Sequence, residues 1–248
     1  MFAVDFQAAR CLTDGMSERT GAADPASLAA IEHDDLSRRV LQYVEEHMEG
    51  DAAHDLSHLL RVAEWTVRIA GAEVPERLCV TAALLHDVVN VPKNHPDRGA
   101  ASERSADVAR RLLSDLGMQN ADVELVAGAI RDHSFTRGAI PESTLGKALQ
   151  DADRLEALGV VGTFRCIATG VRLGAQFFDP VDPWAANRVL DDKRFSVDHF
   201  FTKLLLLPAT FHTAIGRREA DRRAAFMRRL LLELGTELDR PLAMVDGT

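Results

Sequence analysis

The stretch VTAALLHDVVN, residues 80–90, constrains this chain more than any other. Val80 to Leu85 is apolar except for Thr81, and the run ends in adjacent His86 and Asp87 before apolar residues return at Val88 and Val89. An imidazole and a carboxylate at the end of a buried helix cost free energy unless something partners them. A divalent metal ion would partner both, because nitrogen and oxygen ligands suit Mn, Fe, Zn and Mg. The rest of the sequence decides whether such an ion has further ligands and a substrate.

The surrounding pattern is helical throughout. Asp34 or Asp35 suits a helix N-cap, and Leu36, Val40, Val44 and Met48 follow on one face, with Gly50 as the stop. Further helices are expected over 54–71, 75–89, 100–116, 121–133 (after an Asn120 cap), 144–158 and 160–173. Two closing helices, 197–207 and 209–234, flank Pro208. Loops with Gly and Pro fall at 90–99 and 136–143, and 174–195 reads as an ordered irregular loop. No strand run or repeat is visible. The expected fold is all-α, one helical bundle of about eight or nine helices. Its expected span is 34–235, with an N-terminal extension (1–33, partly ordered) and a C-terminal tail (236–248).

Composition narrows the function. A net charge of −9 leaves no broad basic face for a nucleic-acid polymer. No apolar run is long enough to span a membrane and no secretory leader is visible. Cys11, Cys79 and Cys166 are widely spaced and form no disulfide framework. These features point to a cytoplasmic protein.

Candidate ligands bracket the His86–Asp87 pair. His58, in HDLSHLLRV, lies on the preceding helix, with His54 one turn earlier as its competitor. QDADRL, 150–155, offers Asp151 and Asp153. On a helix these two point about 200° apart, so only one can face a given ion. Asp153 is the preferred ligand and Asp151 a capping or supporting partner.

These segments resemble the HD superfamily of metal-dependent phosphohydrolases, whose pattern is H…HD…D on an all-α scaffold. His58 matches the first ligand, His86 and Asp87 the doublet, and Asp153 the final aspartate. The order HDxxHxxRV (His54 to Val62), LLHD (Leu84 to Asp87), DADRLxALG (Asp151 to Gly159) and HFxxKLLxLP (His199 to Pro208) is similar to stand-alone bacterial HD hydrolases. The resemblance covers roughly residues 34–235 and implies hydrolysis of a phosphate ester or anhydride, with one divalent metal ion as cofactor (Mn, Fe, Mg or Zn). Nucleotides are the favoured substrates, because that branch is associated with cleavage of nucleoside triphosphates to monophosphate and pyrophosphate. A phosphomonoesterase, a cyclic phosphodiesterase or a non-catalytic nucleotide sensor are the alternatives, as is a structural protein with a histidine-rich core.

Further residues are candidates for handling such a substrate. Asp87 can both ligate the ion and orient the attacking water. Arg61 lies three residues after His58, on nearly the same helix face. Asn90, Lys93 and Arg98 sit in the loop after the doublet, a rim that could meet phosphate. Lys203 follows His199 by four, which on a continuous helix puts both on one face and Lys203 toward phosphate. His133, ending IRDH, is a candidate acid/base or substrate contact. Phe135, Phe177, Phe178 and Trp184 are the aromatics available to stack a base.

Overall fold

In a computed structural model of the chain, residues 31, 34–47, 56–89, 99–134 and 137–242 are described. The N-terminal extension up to residue 30, His54, the loop residues 90–98, Phe135 and the last residues of the tail lie outside them. Nine α-helices account for most of the described chain, with no strand among them: α1 (Asp35–His47), α2 (Leu56–Ala70), α3 (Glu76–Leu85), α4 (Ala101–Asp115), α5 (Asn120–Asp132), α6 (Thr144–Leu155), α7 (Gly159–Arg172), α8 (Ser196–Thr202) and α9 (Ala214–Glu237). Short 3₁₀ turns cover Gly71–Glu73 and Leu204–Thr210.

Helix α3 sits at the centre because it is apolar on all sides. Every residue from Leu78 to Leu85 is buried, and α1, α2, α5 and α6 pack around it. A helix without a polar face is stable only when enclosed on every side. Helix α6 is the second central element, packed on α2, α5 and α9. Its polar Gln150, Asp151 and Arg154 are buried along with its leucines, so each needs internal partners. The sharp α6–α7 corner rests on two glycines. Gly159 has φ +73, and a Cβ on Gly162 would lie 2.2 Å from the carbonyl carbon of Ala157.

Four expected boundaries change. The central helix ends at Leu85 rather than residue 89, leaving His86 as its C-cap. Asp34 does cap α1, through its carboxylate and the Ser37 amide at 2.8 Å, but Asn120 is the first residue of α5 and not its cap. The closing region holds the two expected helices with other bounds and a 3₁₀ segment between them. Helix α8 stops at Thr202 and Lys203 leaves helical geometry (φ −141, ψ −59), because Pro208 and the run of four leucines form a 3₁₀ segment instead. Lys203 and His199 therefore do not share a helix face, and His199 Nδ1 meets Asp192 at 3.0 Å. At the other end, α9 continues to Glu237. Leu242 still packs on the core, with Trp184 Nε1 donating to the Arg240 carbonyl at 2.7 Å.

The 174–195 loop is irregular but tied down. The Arg188 guanidinium forms a bidentate pair with buried Asp198, at 2.5 and 2.8 Å, and Gln176 and Phe195 form an isolated parallel bridge.

Candidate metal centre

Two helices and the ends of two others bring distant parts of the chain together. His58 comes from α2, His86 and Asp87 from the end of α3, His133 from the end of α5, and Asp153 from α6. Residues His58, His86 and Asp153 form one group whose ligand atoms all lie within 4.8 Å of one another, and His86, Asp87 and His133 form a second. Asp153 Oδ1 is 3.8 Å from His58 Nε2 and 3.9 Å from His86 Nε2. Asp87 reaches His86 Nε2 at 3.5 Å with Oδ2 and His133 Nε2 at 3.5 Å with Oδ1.

His86 keeps helical backbone angles (φ −60, ψ −35) as the cap of α3, and the Asp87 carboxylate folds back to within 3.5 Å of its Nε2. The histidines are enclosed, while the Asp87 and Asp153 side chains keep 27% exposure. The carboxylates thus form the open side of the cluster.

Each histidine has its outer nitrogen anchored. His86 Nδ1 lies 2.7 Å from the Ala83 carbonyl, and His133 Nδ1 lies 2.6 Å from the Ile130 carbonyl. A carbonyl only accepts, so both Nδ1 atoms carry a proton, and in the neutral His86 ring Nε2 turns a lone pair inward. His58 Nδ1 lies 3.3 Å from Glu156 Oε2. Glu156, 1% exposed, also accepts from Arg61 Nε at 2.9 Å and Nη2 at 2.8 Å.

The electrostatics follow from this packing. Burial pushes the His86 imidazole down to about 4, against the pull of Asp87. Burial also acts on His133, but its hydrogen bond to Asp87 and the charges of Asp87 and Asp153 outweigh it and hold the imidazole above its ordinary value. Glu156 is held down at about 2: burial would raise it, but the bonds from His58 and Arg61 prevail.

The residues fit a divalent cation. His86 Nε2 is buried and has no hydrogen-bond partner among the described residues, yet it faces carboxylate oxygens. Neutral imidazoles and carboxylates in one cluster are a donor set for such an ion. The residues that would hold it are drawn from His58, His86, Asp87, Asp153 and His133.

Arg61 directs three of its nitrogens to Glu156 and Ser57. Asn90, Lys93 and Arg98 lie outside the described residues. Lys203 sits at the α8 exit, its amide donating to the His199 carbonyl. Among the aromatics, Phe177 is 55% exposed, whereas Phe178 and Trp184 pack on the core.

Two residues beside the cluster escaped sequence reading. One is Glu156. The other is Arg165 of α7, whose Nη1 lies 3.3 Å from His58 Nδ1 and 3.8 Å from Glu156 Oε2. Glu156 had a usable signal, since it falls three residues after Asp153 and so on a neighbouring face. For Arg165 the signal was a single cation in the middle of the apolar run GTFRCIA.

Residues 55–158, which carry the whole cluster, match the HD domain family model. The uncharacterised YpgQ protein of Bacillus subtilis (strain 168) is 32% identical over 204 residues, covering 80% of this chain and 89% of its own length. The crystal structure of B. subtilis YpgQ in complex with ADP matches with a TM-score of 0.63 at 26% identity, covering 81% of this chain and 96% of that one. That of an HD-superfamily hydrolase from Bacillus thuringiensis matches with a TM-score of 0.62 at 27% identity, covering 85% and 97%. With this kinship and the clustered histidines and aspartates, the chain belongs to the HD superfamily of metal-dependent phosphohydrolases.

Proposed function

We propose that the protein hydrolyses a phosphate ester or anhydride in a small phosphorylated metabolite, with a nucleotide as the favoured substrate. His58, His86, Asp87 and Asp153 hold one divalent ion. The convergence of the His58 and His86 Nε2 atoms on Asp153 Oδ1, with Asp87 reaching the same His86 nitrogen, carries the reading. The relative crystallised with ADP supports a nucleotide, and cleavage of a triphosphate to monophosphate and pyrophosphate is the narrower form of the proposal. When bound, the ion lowers the pKa of its water and polarises a phosphoryl oxygen.

The chain's own groups do the rest. Asp87 orients the attacking water on the open side of the cluster. His133, held above its ordinary pKa beside Asp87, keeps a proton within reach of that carboxylate and can pass it to a leaving oxygen. Asn90, Lys93, Arg98 and Lys203 meet the phosphates. Arg61 supports the cluster from behind through Glu156.

The test is a screen of metal-reconstituted protein against nucleotides and sugar phosphates. Released phosphate and pyrophosphate are measured separately, and His86→Ala and Asp87→Ala serve as controls. Pyrophosphate from a triphosphate, lost in both variants, is the expected result. Phosphate release alone would redirect the proposal to a phosphomonoesterase. Stoichiometric nucleotide binding without turnover on any substrate would replace it with a sensor.

A further inference from the structure

Nδ1 of His58 has two neighbours that demand opposite things of it. Glu156 Oε2, at 3.3 Å, can only accept, so it bonds His58 when the proton is on Nδ1. Arg165 Nη1, also at 3.3 Å, can only donate, so it bonds His58 when Nδ1 carries the lone pair and the proton is on Nε2. Only the first tautomer leaves Nε2 able to bind a cation. The second turns an N–H toward Asp153 and closes the position.

We propose that Glu156 is the positioning residue that makes His58 a metal ligand, and that Arg165 opposes it at the same nitrogen. The inference rests on the metal centre proposed above. Glu156 is suited to prevail. It is almost fully enclosed, and Arg61 grips the same oxygen through two nitrogens, at 2.9 and 2.8 Å. The carboxylate is therefore fixed in place and kept ionised, and a charged acceptor makes a stronger hydrogen bond than a neutral one. Arg165 is looser: its other approaches to Glu156 are 3.5 Å to the carbonyl and 3.8 Å to the carboxylate, and its side chain is 26% exposed. Carboxylates behind metal-bound imidazoles set ring orientation and basicity, and losing one costs about 10–100-fold in metal affinity.

The two residues should therefore move metal affinity in opposite directions. The experiment titrates Mn²⁺ into chelator-stripped full-length protein in competition with a metallochromic dye. It compares wild type with Glu156→Gln, Arg165→Met and His86→Ala. Glu156→Gln is expected to weaken Mn²⁺ binding about 10–100-fold, while Arg165→Met binds at least as tightly as wild type. Long-range ¹H–¹⁵N spectra of the histidine side chains give a second readout. The His58 proton should sit on Nδ1 in wild type and move toward Nε2 in Glu156→Gln.

Equal Mn²⁺ affinity in Glu156→Gln and wild type would overturn the inference. So would an equal loss in both Glu156→Gln and Arg165→Met, which would mark a packing role. If Glu156→Gln fails to fold, Glu156→Asp replaces it, because the shorter arm withdraws the carboxylate from Nδ1 while keeping its charge. Wild type and His86→Ala binding Mn²⁺ equally would instead sink the metal centre itself.

Discussion

Asp151 and Asp153 lie two residues apart on α6 and have opposite surroundings. Asp151 is fully buried. Its Oδ1 accepts from the His212 amide at 2.9 Å, and its Oδ2 accepts from the Thr213 amide at 2.9 Å and hydroxyl at 2.7 Å. Asp153 is partly open and faces two imidazole nitrogens at 3.8 and 3.9 Å, too far for hydrogen bonds. One carboxylate is saturated with donors and fastens the start of α9. The other faces imidazole nitrogens at a spacing that an ion would fill. A buried acid is therefore read by what fills its oxygens, and burial alone misleads.

The sharpest way to break this contrast is to remove each acid in turn. Asp153→Ala should cut turnover by at least about 10²-fold, since a metal centre supplies several kcal/mol of transition-state stabilisation. The metal-free protein should melt near wild type, as read by calorimetry. Asp151→Ala should do the reverse. It orphans three donors at the start of α9, and urea unfolding should register a loss of about 2–4 kcal/mol. Mn²⁺ affinity of the remaining folded protein should be unchanged. Matching phenotypes for the two variants would dissolve the distinction.

Acid sharpens the ligand side. His86 has a folded pKa of about 4 against an ordinary 6.5. Its contribution to stability is complete above pH 6.5 and is lost as pH falls toward 4, where the unfolded chain takes up the proton more readily. His133, held above its ordinary value, has the opposite sign: its contribution is lost as pH rises through its folded pKa. In chelator-treated protein, the stability advantage of wild type over His86→Gln should therefore shrink from pH 6.5 to 4, measured by urea unfolding at each pH. A constant difference would contradict the burial of that ring.

The mildest probe touches only the Asp151 side. A Cβ on Gly216 would come within 2.5 Å of Asp151 Oδ2. Gly216→Ala should cost about 1–2 kcal/mol, in the range of local overpacking, and leave metal affinity unchanged. A fall in Mn²⁺ affinity would mean that the two faces of α6 are mechanically coupled.

Much of this was legible in the sequence because it is local. Helical periodicity gave the all-α architecture, and the apolar run before His86 marked the helix that lies at the centre. The 200° separation of Asp151 and Asp153 foretold that they face different ways. What stayed hidden depends on distant contacts. Nothing near Glu156 announces that its partners are His58 and Arg61. The end of α8 at Thr202 was hidden for another reason: four leucines after Lys203 fit a helix as well as the 3₁₀ segment they adopt. Trp184 read as a free aromatic until its contact with the Arg240 carbonyl tied it to the end of the chain.

The knot of His58, Arg61 and Glu156 has a consequence for folding order. Its members are 98 and 95 positions apart, so the bond that orients His58 closes a loop spanning much of the domain. Such closures carry an entropic penalty that grows with loop length and is offset only once the intervening helices have packed. A chain that is half assembled, or nascent and still short of Glu156, holds His58 without its brace. The native arrangement of the cluster around His58 is therefore a late acquisition in folding.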